Sequence, residues 1–310
     1  MDPIVCVVGP TASGKTALAV ALAQMLDGEV VSCDSMQIYH RMDIGTAKPT
    51  PEEMQGIPHH MIDIAEPDEA FSVSRYCRMA TPIVEDILHR GKVCVIAGGT
   101  GLYVDSLIRG SDFAPIPGTG CRERLEQRAA AEGIDALLNE LAAVDPESAE
   151  RSQGNPRRII RALEVYQKTG RTLTAHNLAT QSVPPRFSPL WIGLDYTDRQ
   201  DLYHRIDLRV DLMLEQGLLE EIRSLLDSGI PESATAMQAI GYKEFIDAFH
   251  GRIPMEQAVR DLKQASRRYA KRQLTWFRRN HAIHWLYRTP QQPAGEIFSQ
   301  ARLLAQNFDK

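Results

Sequence analysis

Eight consecutive residues, Gly9-Pro10-Thr11-Ala12-Ser13-Gly14-Lys15-Thr16, constrain the fold of this chain more than any other segment. They fit the pattern G-x-x-x-x-G-K-[ST]. The apolar run Ile4-Val5-Cys6-Val7-Val8 precedes them, and an amphipathic run from Ala17 to Ala23 follows. Strand, loop and helix in that order are the context in which the pattern acts as a phosphate-binding loop. Gly9 and Gly14 stand where a Cβ would obstruct close backbone approach or a positive φ is needed. The loop N–H groups and the start of the next helix then present aligned dipoles to an anion. Lys15 would bring a full charge to the outer phosphate, and the Thr16 hydroxyl is a candidate ligand for Mg2+. A di- or triphosphate is expected here. The motif does not say whose.

The first third of the chain alternates short β-branched runs with helical patterns. Strands are expected over 4–8, 29–33 and 93–97, and helices over 15–26, 74–90 and 101–108. Such alternation indicates an α/β fold, a parallel sheet with helices on both faces. A further strand is expected at 190–195. Residues 119–185 between them read as helical and charged, bracketed by Pro115-Ile116-Pro117-Gly118 and Pro184-Pro185. Proline and glycine at both ends mark an inserted helical lobe, so the core is expected over 1–118 and 186–310. Apolar residues three and four apart predict one long helix over 199–228 and another over 256–279. The residues from about Gln291 onward read as peripheral.

The net charge of −5 argues against a generally basic nucleic-acid binder, but it hides a local asymmetry. Ten lysines or arginines lie between Gly251 and Pro290 against two acids, Glu256 and Asp261. A second cluster, Arg157, Arg158, Arg161, Lys168 and Arg171, has Glu164 as its one acid. Each is compatible with an ordinary solvated helix face. Two such faces on a net-acidic chain point towards a polyanion partner. No stretch approaches the roughly 20 apolar residues of a membrane span. The start, Met1-Asp2-Pro3, has no signal-peptide character, so the cytoplasm is the expected location. The five cysteines are scattered without a C-x-x-C pair, which supports neither structural zinc nor a disulfide framework.

A second site is expected at Asp34-Ser35-Met36-Gln37, directly after the 29–33 strand. Doubly wound sheets bind substrate at the carboxyl ends of their strands. A carboxylate at Asp34 has three readings: a cap for the next segment, a magnesium ligand, or a general base beside the phosphates. Ser35 and Gln37 are polar groups able to read a base edge. After the 93–97 strand comes Gly98-Gly99-Thr100-Gly101. A nucleotide hydrolase would show an Asp at this strand end. Its absence favours chemistry in which the phosphate is a handle or a leaving group.

Taken together, these segments resemble the tRNA dimethylallyltransferases, isopentenyltransferases that prenylate an adenosine beside the anticodon. The matching stretches begin with Gly9–Thr16, Asp34–Tyr39, Met42–Pro49 and His59–Asp63. Gly98–Tyr103, Asn155–Glu164, Arg205–Val210, Ala239–Glu244 and Lys271–Phe277 follow in family order. They span nearly the whole chain. The zinc-finger extension of eukaryotic relatives is absent, which suggests the bacterial form.

The resemblance implies a P-loop NTPase-like core in which Gly9, Pro10, Thr11, Ala12, Ser13, Gly14, Lys15 and Thr16 hold the diphosphate of dimethylallyl diphosphate. Arg205 and Arg209, one helical turn apart, resemble the family's diphosphate-contacting arginines. Asp34 becomes the general base on the exocyclic amine of adenine, with Lys15 and Thr100 as its catalytic partners and Thr16 as the Mg2+ ligand. Asp34, Ser35, Met36, Gln37 and Thr100 would meet the flipped adenosine of the anticodon stem-loop. Arg122, Arg157, Arg158 and Arg161 would contact tRNA phosphates. Tyr242 would stack on a loop base or pack under the long helices, with Lys243 beside it. A monomer with no membrane attachment is expected. Two alternatives remain at this point: a small-molecule P-loop kinase, and an isopentenyltransferase acting on free adenine nucleotide. The basic helices argue against both.

Overall fold

The computed structural model describes residues 4–110, 120–181 and 184–308. The Pro115–Gly118 segment expected to open the helical lobe lies outside the described residues. The chain divides into two compact units, Met1–Gly110 with Arg186–Lys310, and Ser111–Pro185.

The first unit holds a six-stranded parallel sheet: β1 (Ile4–Val8), β2 (Gly28–Ser32), β3 (His59–His60), β4 (Val93–Gly98), β5 (Leu190–Tyr196) and β6 (His284–Arg288). Their spatial order is β3-β2-β4-β1-β5-β6. The β1 strand sits between β4 and β5, with Val8 level with Gly98 and Gly193. The β2 strand lies on the far side of β4, with Ser32 level with Ala97. The segments leaving β2, β4 and β1 therefore emerge side by side at one edge, where such sheets place their substrates.

The strands β1, β2 and β5 are buried along their length, with Glu29, Ser32 and Asp195 as their buried polar residues, because helices cover both faces. The helices of this unit before the second unit are α1 (Lys15–Met25), α2 (Pro51–Met54), α3 (Val73–His89) and α4 (Gly101–Arg109). The second unit holds α5 (Cys121–Glu132), α6 (Ile134–Val144), α7 (Pro146–Ser152), α8 (Pro156–Thr169) and α9 (Leu173–Gln181). Returning to the first unit, the chain forms α10 (Arg199–Glu215), α11 (Leu218–Asp227), α12 (Lys243–Phe249), α13 (Met255–Phe277) and α14 (Ala294–Phe308).

Three sequence expectations are corrected. The helix expected over 199–228 is two helices, α10 and α11, because Gly217 turns the chain through a φ of +100°. Both halves bury the same apolar stripe, so the periodicity ran on through the break. The tail beyond Gln291 is not peripheral. Ile297, Ala301 and Ala305 of α14 pack with Leu18 and Leu22 of α1 and with Val5, Val7, Ile192 and Leu194 of the sheet. The strands β3 and β6 were not expected. One is two residues long, and the other alternates exposure in the manner of an edge strand.

A second core in this unit is built by α10 to α13 against residues 36–44. It centres on Tyr39, Met42, Ile222, Tyr242, Phe245 and Leu262, all buried. The helical unit has its own core, around Leu125, Leu137, Leu141, Ile159 and Leu163. All five cysteines are buried and unpaired. Among the described residues no helix is long and apolar enough to cross a membrane.

Candidate active site

The phosphate-binding loop joins β1 to α1. Its shape needs glycine at two places. Gly9 has φ +146°, and a Cβ there would lie 2.4 Å from the Leu194 carbonyl oxygen. Gly14 has φ +92°, and a Cβ there would meet the Arg288 guanidinium at 2.2 Å. Inside the loop, the buried Ser13 hydroxyl donates to the Pro10 carbonyl at 2.8 Å and braces the turn. Gly14 caps α1 without a side-chain acceptor, so the first N–H groups of the helix are left for an anion. Arg288, on β6, donates to the Ser13 carbonyl at 2.9 Å and holds the loop from below. Nothing local in the sequence signals that contact across so many residues.

Two cations converge on this loop. The Lys15 Nζ donates to the Pro10 carbonyl at 2.7 Å. Burial, with the charge of Arg209 added, pulls its pKa down to about 7, while Asp34 works the other way. Arg209 reaches the Thr11 hydroxyl at 3.4 Å. Burial lowers its pKa as well, Asp34 and Glu53 oppose that, and Arg205 reinforces it. Two basic groups crowded beside one carboxylate leave positive potential unspent, the condition that an incoming diphosphate relieves. Arg205 is exposed one turn away.

Asp34 follows β2. Its Oδ1 accepts from the backbone N–H of Met36 at 2.8 Å and, more weakly, of Gln37 at 3.4 Å. The capping role is thus present, and it fixes the carboxylate while leaving Oδ2 for another task. Thr100, after β4, accepts from the Ser35 N–H at 3.1 Å and lies 3.3 Å from the Ser35 hydroxyl. Its own N–H donates to the Cys33 carbonyl at 3.2 Å. Burial pushes the phenol of Tyr269, on α13, up to about 12, and the charge of Asp34 acts in the same direction. The structure thus brings together Gly9–Thr16, Asp34, Ser35, Thr100, Arg205 and Arg209.

The glycine turn after β4 serves packing. A Cβ on Gly98 would lie 2.2 Å from the Cys33 carbonyl oxygen, and one on Gly99 would lie 2.1 Å from Gln273 Nε2. On Gly101 it would strike the Trp276 indole at 2.2 Å. Gln273 and Trp276 both come from α13. These glycines therefore admit neighbouring parts of the protein. Gln273, placed by its spacing on the apolar stripe of the helix, is buried, and its amide bonds to Thr11 N–H and to the Gly99 carbonyl.

Two expected nucleotide-facing groups are otherwise engaged. The Gln37 amide donates to the carbonyls of Thr46 and Ala47 at 3.4 and 3.0 Å and accepts from the Ser32 hydroxyl at 3.1 Å. Its edge is spent on its own chain. Tyr242 is fully buried in the second core, its ring against Gly45 and its hydroxyl donating to Glu221 at 2.6 Å. A ring with no exposed face stacks on no base, so its assignment to a base contact is corrected. Lys243 next to it is exposed. Met36 packs against the same core. In the helical unit, Arg122, Arg157, Arg158 and Arg161 are all exposed. Arg122 pairs with Glu126 at 3.2 Å, and Arg161 with the buried Glu164 at 2.8 Å.

Among the described residues no three His, Cys, Asp or Glu side chains cluster as metal ligands. Mg2+ fits such a site when a single loop hydroxyl and the substrate's own phosphate oxygens supply most of its shell. Thr16, in the first turn of α1, is placed for that part.

The family model described as IPP transferase matches residues 37–280. A tRNA dimethylallyltransferase of Bacillus velezensis is 50% identical over 303 residues, covering 96% of each chain. One from a Thermoanaerobacter species is 48% identical over 287 residues, 92% of this chain and 91% of the relative. The crystal structure of a tRNA isopentenylpyrophosphate transferase from Bacillus halodurans superposes with a TM-score of 0.75 at 42% identity, covering 100% of this chain and 97% of that one. A eukaryotic dimethylallyltransferase described as acting on tRNA superposes at 0.84 with 30% identity, over 97% of this chain and 77% of its own. With a family match over most of its length and relatives near half identity, the chain belongs to the IPP transferase family.

Proposed function

We propose that this protein transfers the dimethylallyl group of dimethylallyl diphosphate to the exocyclic N6 amine of the adenosine on the 3′ side of the anticodon in tRNA, releasing diphosphate. One observation carries the reading. The Asp34 carboxylate after β2 acts electrostatically on both Lys15, at the start of α1, and Arg209, on α10, which supports reading Asp34 as a base next to an anion cradle.

In this reading Gly9–Thr16 cradle the diphosphate, with Lys15, Arg209 and Arg205 neutralising the charge that grows as the allylic C–O bond breaks. Fixed donors at a developing charge stabilise the transition state more than the ground state. Mg2+ held by Thr16 and the phosphate oxygens would supply further neutralisation. As the new C–N bond forms, the amine proton passes to Asp34, whose Oδ1 is already held by the Met36 N–H. Thr100, tied to Ser35, keeps the acceptor side in register with that carboxylate. The adenosine leaves its stack to reach the site. Arg122, Arg157, Arg158, Arg161 and Lys243, with the exposed Arg268, Lys271 and Arg272 of α13, offer charge to the tRNA backbone. The protein acts as a monomer in the cytoplasm.

The test is incubation with radiolabelled dimethylallyl diphosphate, Mg2+ and either unmodified tRNA or AMP. Label is expected in tRNA. Label in AMP alone, or phosphate transfer from ATP to a small acceptor, overturns the reading. Asp34→Ala is expected to abolish turnover and retain tRNA binding.

A further inference from the structure

The loop after β1 and the turn after β4 carry opposite sides of the proposed reaction. The first would hold the departing diphosphate, and the second places Thr100 beside Ser35 and Asp34. A displacement needs its leaving group and its nucleophile in line, and a misplacement of about 1 Å costs on the order of 100-fold in rate. Something must hold these two segments at a fixed separation.

Gln273 does so with a single group. Its Oε1 accepts from the Thr11 N–H at 2.9 Å, and its Nε2 donates to the Gly99 carbonyl at 3.0 Å. The residue is 5% exposed. Thr11 is inside the phosphate loop, and Gly99 immediately precedes Thr100. One bond needs an acceptor and the other a donor, a few ångströms apart in one plane. Among side chains of this length a primary amide supplies both without depending on pH, whereas a carboxyl group does so only when protonated. Gly99 has no Cβ at the one place where a Cβ would meet this nitrogen, at 2.1 Å. The Thr11 N–H is also withdrawn from the set of donors that face a phosphate, and its direction is fixed.

We propose that Gln273 is a positioning residue for the transfer, clamping the diphosphate loop at Thr11 to the Thr100 turn at Gly99 so that leaving group and base keep their separation. The inference rests on the reading of Gly9–Thr16 and Asp34 given above. It concerns a residue that touches neither substrate.

Two variants test it, each measured for kcat, for KM of both substrates and for melting temperature. Gln273→Met keeps the volume and removes both hydrogen bonds. Its kcat is expected to fall 10- to 100-fold, with the tRNA Kd within twofold of the parent. Phe277→Leu, one turn further along the same helix and likewise buried, is the control for lost stability, with kcat expected within threefold. Gln273→Glu gives the readout that a structural role would not move. As a neutral carboxylic acid it again offers one donor and one acceptor, whereas as a carboxylate it turns an oxygen against the Gly99 carbonyl. Its kcat relative to the parent is therefore expected to rise as pH falls from 8 to 6. A Met variant within threefold of the parent, or no slower than Phe277→Leu, overturns the proposal. So does a pH-independent ratio for the Glu variant, or the loss of a folding transition in both variants. If the parent itself moves no label from dimethylallyl diphosphate to tRNA, the proposed function fails instead, and the two failures are distinguishable.

Discussion

Glu221 offers a measurable test of how the segment after Gln37 is held. Its carboxylate accepts four hydrogen bonds: from the N–H groups of Asp43 and Ile44 at 2.7 Å each, from Gly45 N–H at 3.0 Å, and from the Tyr242 hydroxyl at 2.6 Å. Glu221→Ala strips all four. Water replaces the bond to the exposed Asp43 at little cost. The other three are partly or fully buried, and at about 1.5 kcal/mol each for a bond to a charged acceptor the loss comes to about 4.5 kcal/mol. For a domain of this size that lowers the melting temperature by about 9 to 18 °C. Glu221→Gln should be nearly as damaging. Oε1 and Oε2 each receive two donors, so an amide must turn its own NH2 against one of the two pairs. Thermal melts of Glu221→Ala, Tyr242→Phe and the double variant form a cycle. Tyr242→Phe alone is expected to cost about 1–2 kcal/mol, and close to nothing once Glu221 is gone. A loss below about 1 kcal/mol for Glu221→Ala would refute the reasoning, as would equal costs of Tyr242→Phe in both backgrounds. Because the ring is buried, tRNA affinity of Tyr242→Phe should stay within twofold of the parent.

Three further outcomes are expected. Glu29 is buried against Arg90 and His60, and the Arg90 guanidinium holds its carboxyl down at about 2 although burial pushes the other way. Its contribution is therefore complete above about pH 4.5 and lost as pH falls towards 2, so the stability gap between the parent and Glu29→Gln, on the order of 2–3 kcal/mol at pH 7, should close in acid melts. Gly101→Ala drives a methyl into the Trp276 indole, whose Nε1 donates to Asp105 at 2.8 Å, and should cost about 1–3 kcal/mol with a shift in tryptophan fluorescence. If the exposed arginines and lysines grip phosphates, log Kd for tRNA should rise linearly with log salt, and Arg157→Ala with Arg158→Ala should flatten that slope by about one to two contacts.

The parts of this molecule that the sequence disclosed are those whose signal is local. The strands β1, β2, β4 and β5 are built on short, mainly apolar runs because both their faces are covered, and each appears within a residue or two of its expected span. The phosphate loop and Asp34 are adjacent to those runs. What was hidden is held by distance or by one-sided burial. Gln273 and Arg288 meet the loop across more than 250 residues, and on a helical wheel Gln273 occupies a core position where an amide carries no special meaning. The edge strands β3 and β6 lack the apolar run because one side of each faces solvent or is too short to show a period. The tail helix was legible and was misjudged: Ile297, Ala301 and Ala305 repeat every four residues, the mark of a buried helical stripe. Tyr242 shows the opposite limit, since an aromatic beside a lysine reads equally as a contact or as core until Gly45 is seen against its ring.

The order of strands across the sheet has a consequence for how the chain is made. The phosphate loop hangs from β1, yet one flank of β1 is completed by β5 and a face of α1 by α14, both of which are translated much later. At about 5–20 residues per second, the ribosome leaves that flank open for several seconds while the helical unit is synthesised. The face of α1 that α14 covers stays bare until α14 itself clears the exit tunnel. A nascent chain truncated before residue 294 would therefore carry every residue of the phosphate cradle and still lack the surface that seats it.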